Sequence, residues 1–226
     1  MPLIPLSATS AADWFVDSDA DWSVKVGLGP PGFEAYARVL YDLDEDAPAD
    51  ANDQIGADLR DVLARHTTTP GDCFFAPWDG WGGFQGGPQD FGVRYAVSLD
   101  ASPAEILEAE TLTAAAQSLD CAPAFTQSFI DGPMVSVPNR EFYLFAGPLG
   151  REVDWGAADY APGFPRDFPT EPALMWPADH AWFVTTNIDG TWSGVGGALE
   201  LISDLLADTR LETVRTTYDI NQREDR

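Results

Sequence analysis

The chain has 226 residues, of which 45% are hydrophobic and 12% aromatic, and its net charge is −25. This length and this hydrophobic content favour a single folded domain over residues 1–226 and argue against a disordered chain. No apolar run reaches about 18 residues, the length that a membrane-spanning helix needs. The negative charge repels nucleic-acid phosphates and anionic lipids. We therefore expect a folded domain that binds neither membranes nor nucleic acid.

The first residues, Met1-Pro-Leu-Ile-Pro-Leu, lack the basic segment and the long apolar stretch of a secretion signal. The expected location is therefore the cytoplasm. Two cysteines, Cys73 and Cys121, are too few for a four-cysteine zinc site. In a cytoplasmic protein we expect them to be separate buried thiols, with a disulfide between them as the alternative.

The first predicted elements form a hairpin. Residues 22–28 alternate between apolar and other side chains, as a strand does, Gly29-Pro-Pro-Gly32 reads as a turn, and residues 33–41 alternate again. An acidic loop follows over residues 42–53, with Asp53 as the predicted N-cap of an amphipathic helix that ends near His66.

Strands outnumber helices in the rest of the chain. The further predicted strands are 72–78, 92–99, 134–137, 141–146, 182–188 and 212–218, and the further predicted helices are 102–118, which opens with a capping box, and 198–207. Residues 79–92 and 154–172 read as irregular loops, and residues 221–226 as a frayed tail. Because strands and helices do not alternate regularly, we predict an α+β fold, a mainly antiparallel sheet with about three helices packed on one face.

Three segments of the chain belong together. They are residues 66–82, which contain Cys73-Phe-Phe-Ala-Pro-Trp, residues 137–148, which contain Asn139-Arg-Glu-Phe-Tyr, and Trp176-Pro-Ala-Asp-His-Ala-Trp-Phe-Val onward to Leu211-Glu212. Together they resemble an uncharacterised protein family of high-GC Gram-positive bacteria. The resemblance covers about half of the chain. It implies no activity and transfers no catalytic residue. It does imply that residues 84–130 are an insertion between the first two segments.

The chain contains the ingredients of a Cys–His–Asp arrangement. Cys73 is the nucleophile candidate, His66 or His180 the base, and Asp179 or Asp189 the orienting carboxylate. The residues around Cys73 match no cysteine hydrolase, and a cysteine in an apolar strand is usually a small core residue. No serine lies in the Gly-x-Ser-x-Gly elbow of hydrolases. Since neighbouring strand residues point apart, His180 is expected to cap a strand end and not to form a dyad with Asp179.

No metal or cofactor site is predicted. With only two histidines a three-histidine site is impossible. Residues 17–21 and 42–46 each place three carboxylates at alternate positions, as calcium loops do, but neither has the glycine that such loops need at position six or the glutamate at position twelve. We expect solvated acidic loops, and weak, nonspecific cation binding remains open.

Two glycine-rich runs are possible anion sites. Residues 80–87 lack the lysine and threonine of a phosphate-binding loop and read as a surface loop. Residues 194–197 precede a helix, so the backbone amides around Gly194 and Gly196 either bind an anion or form a tight turn where strand and helix pack closely.

The tryptophans suggest a third type of site, because rings that stack on sugars accompany carboxylate pairs in glycosidases. The rings concerned are Trp78, Trp81, Trp176 and Trp182, and core packing is the alternative for each.

The charge points to a binding or interaction protein. A folded, strongly negative protein suits rapid docking on a basic protein partner, as immunity proteins and inhibitors do. The alternative is a hydrolase that uses Asp179, His180 and Asp189 beside residues 194–197, and a further alternative is an accessory subunit with an exposed apolar patch. The sequence does not indicate an oligomeric state.

Overall fold

A computed structural model describes residues 1–41, 51–81, 83–85, 102–104, 123–160, 166, 171–186 and 191–219. The chain forms two compact units. The first comprises Met1–Trp78, Pro133–Asp154 and Pro169–Arg226, and the second comprises Asp79–Gly132 and Trp155–Phe168. The predicted insertion, 84–130, falls within the second unit, and its origin as an insertion stays a prediction. Among the described helices, none is both long enough and apolar enough to cross a membrane.

All of the strands and all but one of the α-helices in the following list lie in the described part of the first unit. The strands are β1 (Ile4–Pro5), β2 (Ala35–Leu40), β3 (Cys73–Ala76), β4 (Val135–Val137), β5 (Arg140–Phe142), β6 (Phe145–Gly147), β7 (Leu174–Pro177), β8 (Trp182–Thr186), β9 (Trp192–Gly197) and β10 (Thr213–Thr216). The α-helices are α1 (Asp13–Val16), α2 (Trp22–Leu28), α3 (Ala51–Leu63), α4 (Gln127–Ile130, in the second unit) and α5 (Leu199–Ala207). Short 3₁₀ turns cover Ser10–Ala12, Ala64–His66 and Asp79–Trp81.

Eight strands form one sheet in the order β1-β6-β3-β7-β8-β9-β2-β10, and every neighbouring pair is antiparallel. Strands β4 and β5 form a separate hairpin. The α+β prediction of a mainly antiparallel sheet is therefore confirmed. Strand β2 pairs with β9 and β10, so the hairpin predicted for residues 22–41 does not form, although its second strand does.

Helices cover both faces of the sheet, which corrects the expectation that they share one face. Successive residues of a strand point to opposite faces. On β9, a side chain at Gly194 would meet the backbone of Gly27 in α2, whereas one at Gly197 would meet Leu201 in α5. Because positions 194 and 197 lie on opposite faces, α2 and α5 pack on opposite sides of the sheet.

Residues 22–28 form helix α2, so the predicted strand is wrong. The carboxylate of Asp21 accepts a hydrogen bond from the backbone N–H of Ser23 and so caps the helix. Gly29 ends it with a φ of 80°, which glycine adopts without strain. The run from Val24 to Leu28 is buried throughout. Apolar residues therefore lie on every side of α2, and their spacing in the sequence resembles the alternation of a strand.

Other local predictions have mixed outcomes. Helix α3 begins at Ala51 in the described chain, so Asp53 lies within its first turn and is not the N-cap. Residues 194–197 belong to strand β9 and do not form a turn. The predicted strands near 72–78, 134–137, 182–188 and 212–218 and the helix near 198–207 are confirmed, and the run 141–146 is split between β5 and β6. The predicted strand 92–99, the tail 221–226 and all of the helix 102–118 except Ser102–Ala104 lie outside the described residues.

The second unit has an aromatic interior of its own. The ring of Phe125 lies 6.1 Å from that of Phe84 and 5.4 Å from that of Phe129 in α4. The guanidinium of Arg166 lies 3.9 Å from the ring centroid of Tyr160, and its Nε donates a hydrogen bond to the carbonyl of Ala158. The backbone N–H of Ala158 donates to the carbonyl of Ala124 at 2.9 Å, and this hydrogen bond joins the two chain segments of the unit.

Candidate functional site

The turn between β7 and β8 carries Asp179, the carboxylate of the predicted hydrolase site. Its oxygens accept hydrogen bonds from Thr67 Oγ1 at 2.8 Å, from the backbone N–H and Oγ1 of Thr68 at 2.7 Å each, and from the N–H of Ala181 at 3.2 Å. In return the N–H of Asp179 donates to Thr69 Oγ1. We call Asp179 with Thr67, Thr68 and Thr69 the threonine latch, because it fastens the segment after α3 to the β7–β8 turn.

The threonine latch keeps Asp179 ionised. Burial acts to raise the pKa of this carboxyl, but the hydrogen bonds from Thr68, Thr67 and Ala181 outweigh burial, and the net pKa lies below its ordinary value. A carboxylate with a lowered pKa and four neutral donors is a weak base. The geometry gives Asp179 a structural part in joining two loops.

His180 occupies the left-handed backbone region, with a φ of 55°. Its N–H donates to the carbonyl of Pro177, which closes the turn, and its ring stacks on Trp14 with centroids 4.1 Å apart and planes 16° apart. Burial lowers the pKa of the imidazole, and the charge of Asp179 partly opposes that effect. Non-glycine residues adopt this backbone region at a cost, which the contact with Trp14 helps to offset.

Cys73 is fully buried in β3. Its thiol donates weakly to the carbonyls of Thr69 and Pro70, at 3.6 and 3.9 Å. Burial, assisted by the charges of Asp179 and Asp72, raises the pKa of the thiol to about 12. The sulfur is therefore protonated at neutral pH, whereas a nucleophile has to be a thiolate.

The described residues place neither histidine in a hydrogen bond with Cys73. His66 lies at the end of the 3₁₀ turn after α3, where its Nε2 is 2.9 Å from Oδ2 of Asp204 in α5. His180 and Asp179 lie at the same end of the sheet as Cys73, but each is engaged by the contacts given above. Asp189, the other carboxylate candidate, lies outside the described residues.

The tryptophans named as sugar-stacking candidates differ in exposure. Trp176 is fully buried and stacks between Phe74 and Phe183, with centroids 5.5 and 5.4 Å away. Trp182 is also fully buried, and its Nε1 donates to the carbonyl of Leu63. Both rings therefore belong to the core. Trp78, in the first unit, and Trp81, in the second unit, are half-buried.

The glycines of β9 allow close packing. A Cβ at Gly194 would overlap the carbonyl of Gly27, so only glycine lets α2 approach the strand this closely. A Cβ at Gly196 would crowd the ring of Tyr36. The anion position after these glycines is already occupied, because Oε2 of Glu34 accepts a hydrogen bond from the N–H of Leu199 at the start of α5, at 3.0 Å.

A buried ion pair that the sequence analysis missed joins α3 to the segment before β7. Both oxygens of Glu171 accept hydrogen bonds from NH1 of Arg60, at 2.5 and 2.6 Å. The other guanidinium nitrogens of Arg60 donate to the carbonyls of Gly150 and Arg151. Burial raises the pKa of Glu171, and the positive charge of Arg60 opposes this rise. The helical spacing did indicate that Arg60 is buried, since it lies on the same side of α3 as the buried residues Gly56 and Leu63.

Tyr41 is close enough to this ion pair for the charges of Glu171 and Arg60 to act on it. Tyr41 Oη bonds Ser193 Oγ, which is 2.9 Å from Thr186 Oγ1. Burial raises the pKa of Tyr41, and the charge of Glu171 adds to that rise. Perturbed pKa values of this kind occur at active sites and also in structural networks. Here all three nitrogens of Arg60 already have partners, so the arrangement fits a structural network.

A second ion network surrounds the same part of α3. Asp58 Oδ1 lies 3.0 Å from a guanidinium nitrogen of both Arg151 and Arg210, and these two arginines also contact Asp61. The hydrogen bond from Arg210 lowers the pKa of Asp208 to about 2.

Within the described residues, no group of three or more histidine, cysteine or carboxylate side chains is placed to hold a metal ion.

The chain matches no protein-family model, no curated protein and no solved structure. Inferences about its function therefore rest on its own charges and contacts.

Proposed function

We propose that this chain is an acidic binding protein that docks on a basic protein partner, as inhibitors and immunity proteins do. The proposal places it in the cytoplasm, acting on a protein and not on nucleic acid or membranes. The observation that carries it is the large excess of acidic over basic residues. The chain has 37 acidic residues and only 12 lysines and arginines.

Nine of those twelve cations lie in the described part of the chain, since Arg94, Arg223 and Arg226 fall outside it. Eight of the nine contact a carbonyl, a carboxylate or an aromatic ring of the same chain. They are Lys25, Arg38, Arg60, Arg65, Arg140, Arg151, Arg166 and Arg210. The ninth, Arg215, is exposed. Three of these cations are buried, and Arg151 and Arg210 pair with carboxylates on and near α3, so few positive charges remain to offset the other acidic residues.

The segment around α1 illustrates the result. Asp13, Asp17 and Asp19 are exposed, whereas Lys25, the only lysine, is buried and its Nζ donates to the carbonyls of Val16 and Ser18. A surface with this excess of negative charge accelerates encounter with a basic protein and lowers the rate of encounter with anions.

The contacts of the hydrolase candidates favour binding over catalysis. Asp179 is held by neutral donors in the threonine latch, and Cys73 is a buried thiol with a pKa of about 12. Neither provides the activated group that hydrolysis needs. The hydrolase with Asp179, His180 and Asp189 thus has no geometric support from the described residues.

Affinity capture followed by kinetics tests the proposal. The immobilised protein should retain a basic protein from lysate at low salt, and the purified partner should associate at a rate that falls steeply with ionic strength. A variant with Asp13→Asn, Asp17→Asn and Asp19→Asn should associate more slowly, whereas the charge-neutral control Thr209→Asn should not. If no basic protein is retained, or if salt leaves the association rate unchanged, the proposal is wrong.

A further inference from the structure

The ring of His180 lies flat on the ring of Trp14, with centroids 4.1 Å apart and planes 16° apart. His180 is exposed, so the side of its imidazole that faces away from Trp14 is open to solvent. Within the described residues, neither nitrogen of this imidazole has a hydrogen-bond partner. We call the two stacked rings the aromatic platform. It presents a flat surface together with a donor and an acceptor that the fold does not use.

Packing and backbone hydrogen bonds hold the aromatic platform in place. The ring of Trp14 contacts the edge of Phe183 at 5.5 Å, and the neighbouring Phe15 stacks on Phe183 at 4.9 Å. Phe15 and Phe183 are fully buried. The N–H of His180 is bonded to the carbonyl of Pro177 at 3.0 Å. A ligand that stacks on a surface fixed in this way loses little affinity to ordering of the protein.

The backbone of His180 is strained for a residue with a side chain. Its φ of 55° is a conformation that glycine or asparagine adopts at lower cost. The strain offsets part of the stability that the stack on Trp14 contributes. Strained residues of this type occur at binding sites. The strain therefore agrees with a role for the ring outside the fold itself.

Two carboxylates on α1 border the aromatic platform. The N–H of Asp17 donates to the carbonyl of Asp13, so one helical turn includes both residues. Trp14 lies between them in this turn, one residue after Asp13 and three residues before Asp17, a spacing that keeps Trp14 and Asp17 on the same side. Both carboxylates are exposed.

Two further carboxylates border it from the β7–β8 turn. Asp179 directly precedes His180, and its charge acts on the imidazole. Asp72 adjoins this turn, because its carbonyl accepts a hydrogen bond from the N–H of Ala178 at 2.9 Å. It lies two residues before Phe74, and this spacing directs its side chain to the side of the sheet on which α1 packs. Asp72 and Asp179 are exposed.

The charge around the platform suits a cationic ligand. Lys25, the described cation that contacts the end of α1, is buried, with its Nζ bonded to the carbonyls of Val16 and Ser18. Burial lowers the pKa of His180, so its ring is uncharged at neutral pH and does not repel a cation. A guanidinium stacks on aromatic rings through its planar face while its N–H groups donate to carboxylates. The ammonium of lysine has no planar face.

We infer that the aromatic platform and its four carboxylates bind an arginine side chain of the basic partner protein, with the guanidinium stacked on the outer side of His180. This inference rests on the proposed function and assigns the contact that holds the complex together. The surface charge sets the rate of association, whereas a stacked arginine slows dissociation. Tryptophan and arginine are among the residue types that contribute most at protein interfaces.

The test compares two peptides of equal length and charge. One alternates glycine with arginine, the other alternates glycine with lysine, and the binding of each to the full chain is measured by calorimetry at low salt. We expect the arginine peptide to bind about tenfold more tightly. His180→Asn and His180→Gly should remove most of this preference, and both residues fit the φ of 55°. The control His66→Asn makes the same change at the histidine that pairs with Asp204, and it should leave the preference unchanged.

Proton NMR locates the contact. The chain has only two histidines, so the two variants to asparagine assign the imidazole signals of each. Addition of the arginine peptide should shift the signals of His180 and leave those of His66 in place. A bound arginine peptide that leaves the His180 signals unmoved would overturn the inference.

The outcomes separate the inference from the proposed function. Equal affinity of the two peptides, or a preference that survives both His180 variants, would overturn the inference and leave electrostatic docking intact. Absence of binding by either peptide at low salt would count against the proposed function itself. Sedimentation equilibrium covers the remaining occupant: a dimer that His180→Gly converts to a monomer would overturn the inference in favour of a second copy.

Discussion

Two carboxylates of this protein have different hydrogen-bond partners, and their pKa values are shifted in opposite directions. Asp179, in the threonine latch, accepts hydrogen bonds from hydroxyl and amide groups at the surface end of the sheet, and its pKa is lowered. Glu171 is largely buried and bonds a single guanidinium nitrogen of Arg60, and its pKa is raised. The comparison shows that several neutral donors near water favour an ionised carboxylate more than one cation does in the interior.

The two sites also differ in what their removal leaves behind. Loss of Asp179 frees donors that water can reach, since Thr68 is exposed. Loss of either member of the Arg60–Glu171 pair leaves a charge inside the protein with no counterion. The free energy of unfolding should therefore respond far more strongly at the ion pair than at the threonine latch.

The largest expected effect is at the ion pair. Arg60→Met removes the counterion of Glu171 and the donors to the carbonyls of Gly150 and Arg151. We expect the free energy of unfolding to fall by about 3–5 kcal/mol, measured by urea denaturation. The double variant Arg60→Met with Glu171→Leu removes both charges and should lose less than Arg60→Met alone. A loss below about 1 kcal/mol for Arg60→Met would mean that water solvates Glu171.

A smaller effect is expected at the threonine latch. Asp179→Ala removes the acceptor for Thr67 and Thr68 and should lower the free energy of unfolding by about 1–2 kcal/mol, because water replaces part of the lost hydrogen bonding. The control Asp72→Ala removes an exposed carboxylate nearby and should change stability by less than about 0.5 kcal/mol. Equal losses for the two variants would show that the latch contributes no more than an ordinary surface charge.

The pH dependence of stability should have opposite signs at the two sites. The folded pKa of Asp179 lies below 3.8, so the advantage of the native chain over Asp179→Asn is full above pH 3.8 and declines as the pH falls through the folded pKa. The folded pKa of Glu171 lies above 4.5, so the native chain gains stability relative to Glu171→Gln as the pH falls through that folded pKa. Urea titrations of the three proteins across this acidic range measure both slopes, and slopes of the same sign would refute the contrast.

The sequence predicted the parts of the fold that depend on local pattern. Strands such as β3 and β8 are short apolar or β-branched runs, and α5 shows helical periodicity, so their types and approximate ends could be read directly. Helix α2 was mistaken for a strand because it is buried on all sides, which removes the helical period. Its end signals, Asp21 before it and Gly29 after it, were the better guide.

The candidate sites were less predictable, because their contacts are distant in the chain. Arg60 and Glu171 are 111 residues apart, and Asp179 bonds residues 111 and 112 positions away. Asp179 and His180 were predicted as members of a hydrolase site because they are adjacent in the sequence. The turn that carries them is a structural attachment point and not such a site. The turn is held by the hydrogen bonds of Asp179 with Thr67 and Thr68. No sequence motif relates these residues, because they are far apart in the chain.

The smallest expected effect is at His180, which neighbours the threonine latch but does not support it. In His180→Asn, asparagine tolerates the φ of 55° better than histidine, which recovers part of the backbone strain, and the stack on Trp14 is lost. The stack contributes about 0.5–1.5 kcal/mol and the strain costs a similar amount, so the free energy of unfolding should change by less than about 1 kcal/mol. Trp14 should nevertheless become more exposed, which tryptophan fluorescence detects. A loss above about 2 kcal/mol would mean that the imidazole contributes more than stacking, and would extend the threonine latch to include it.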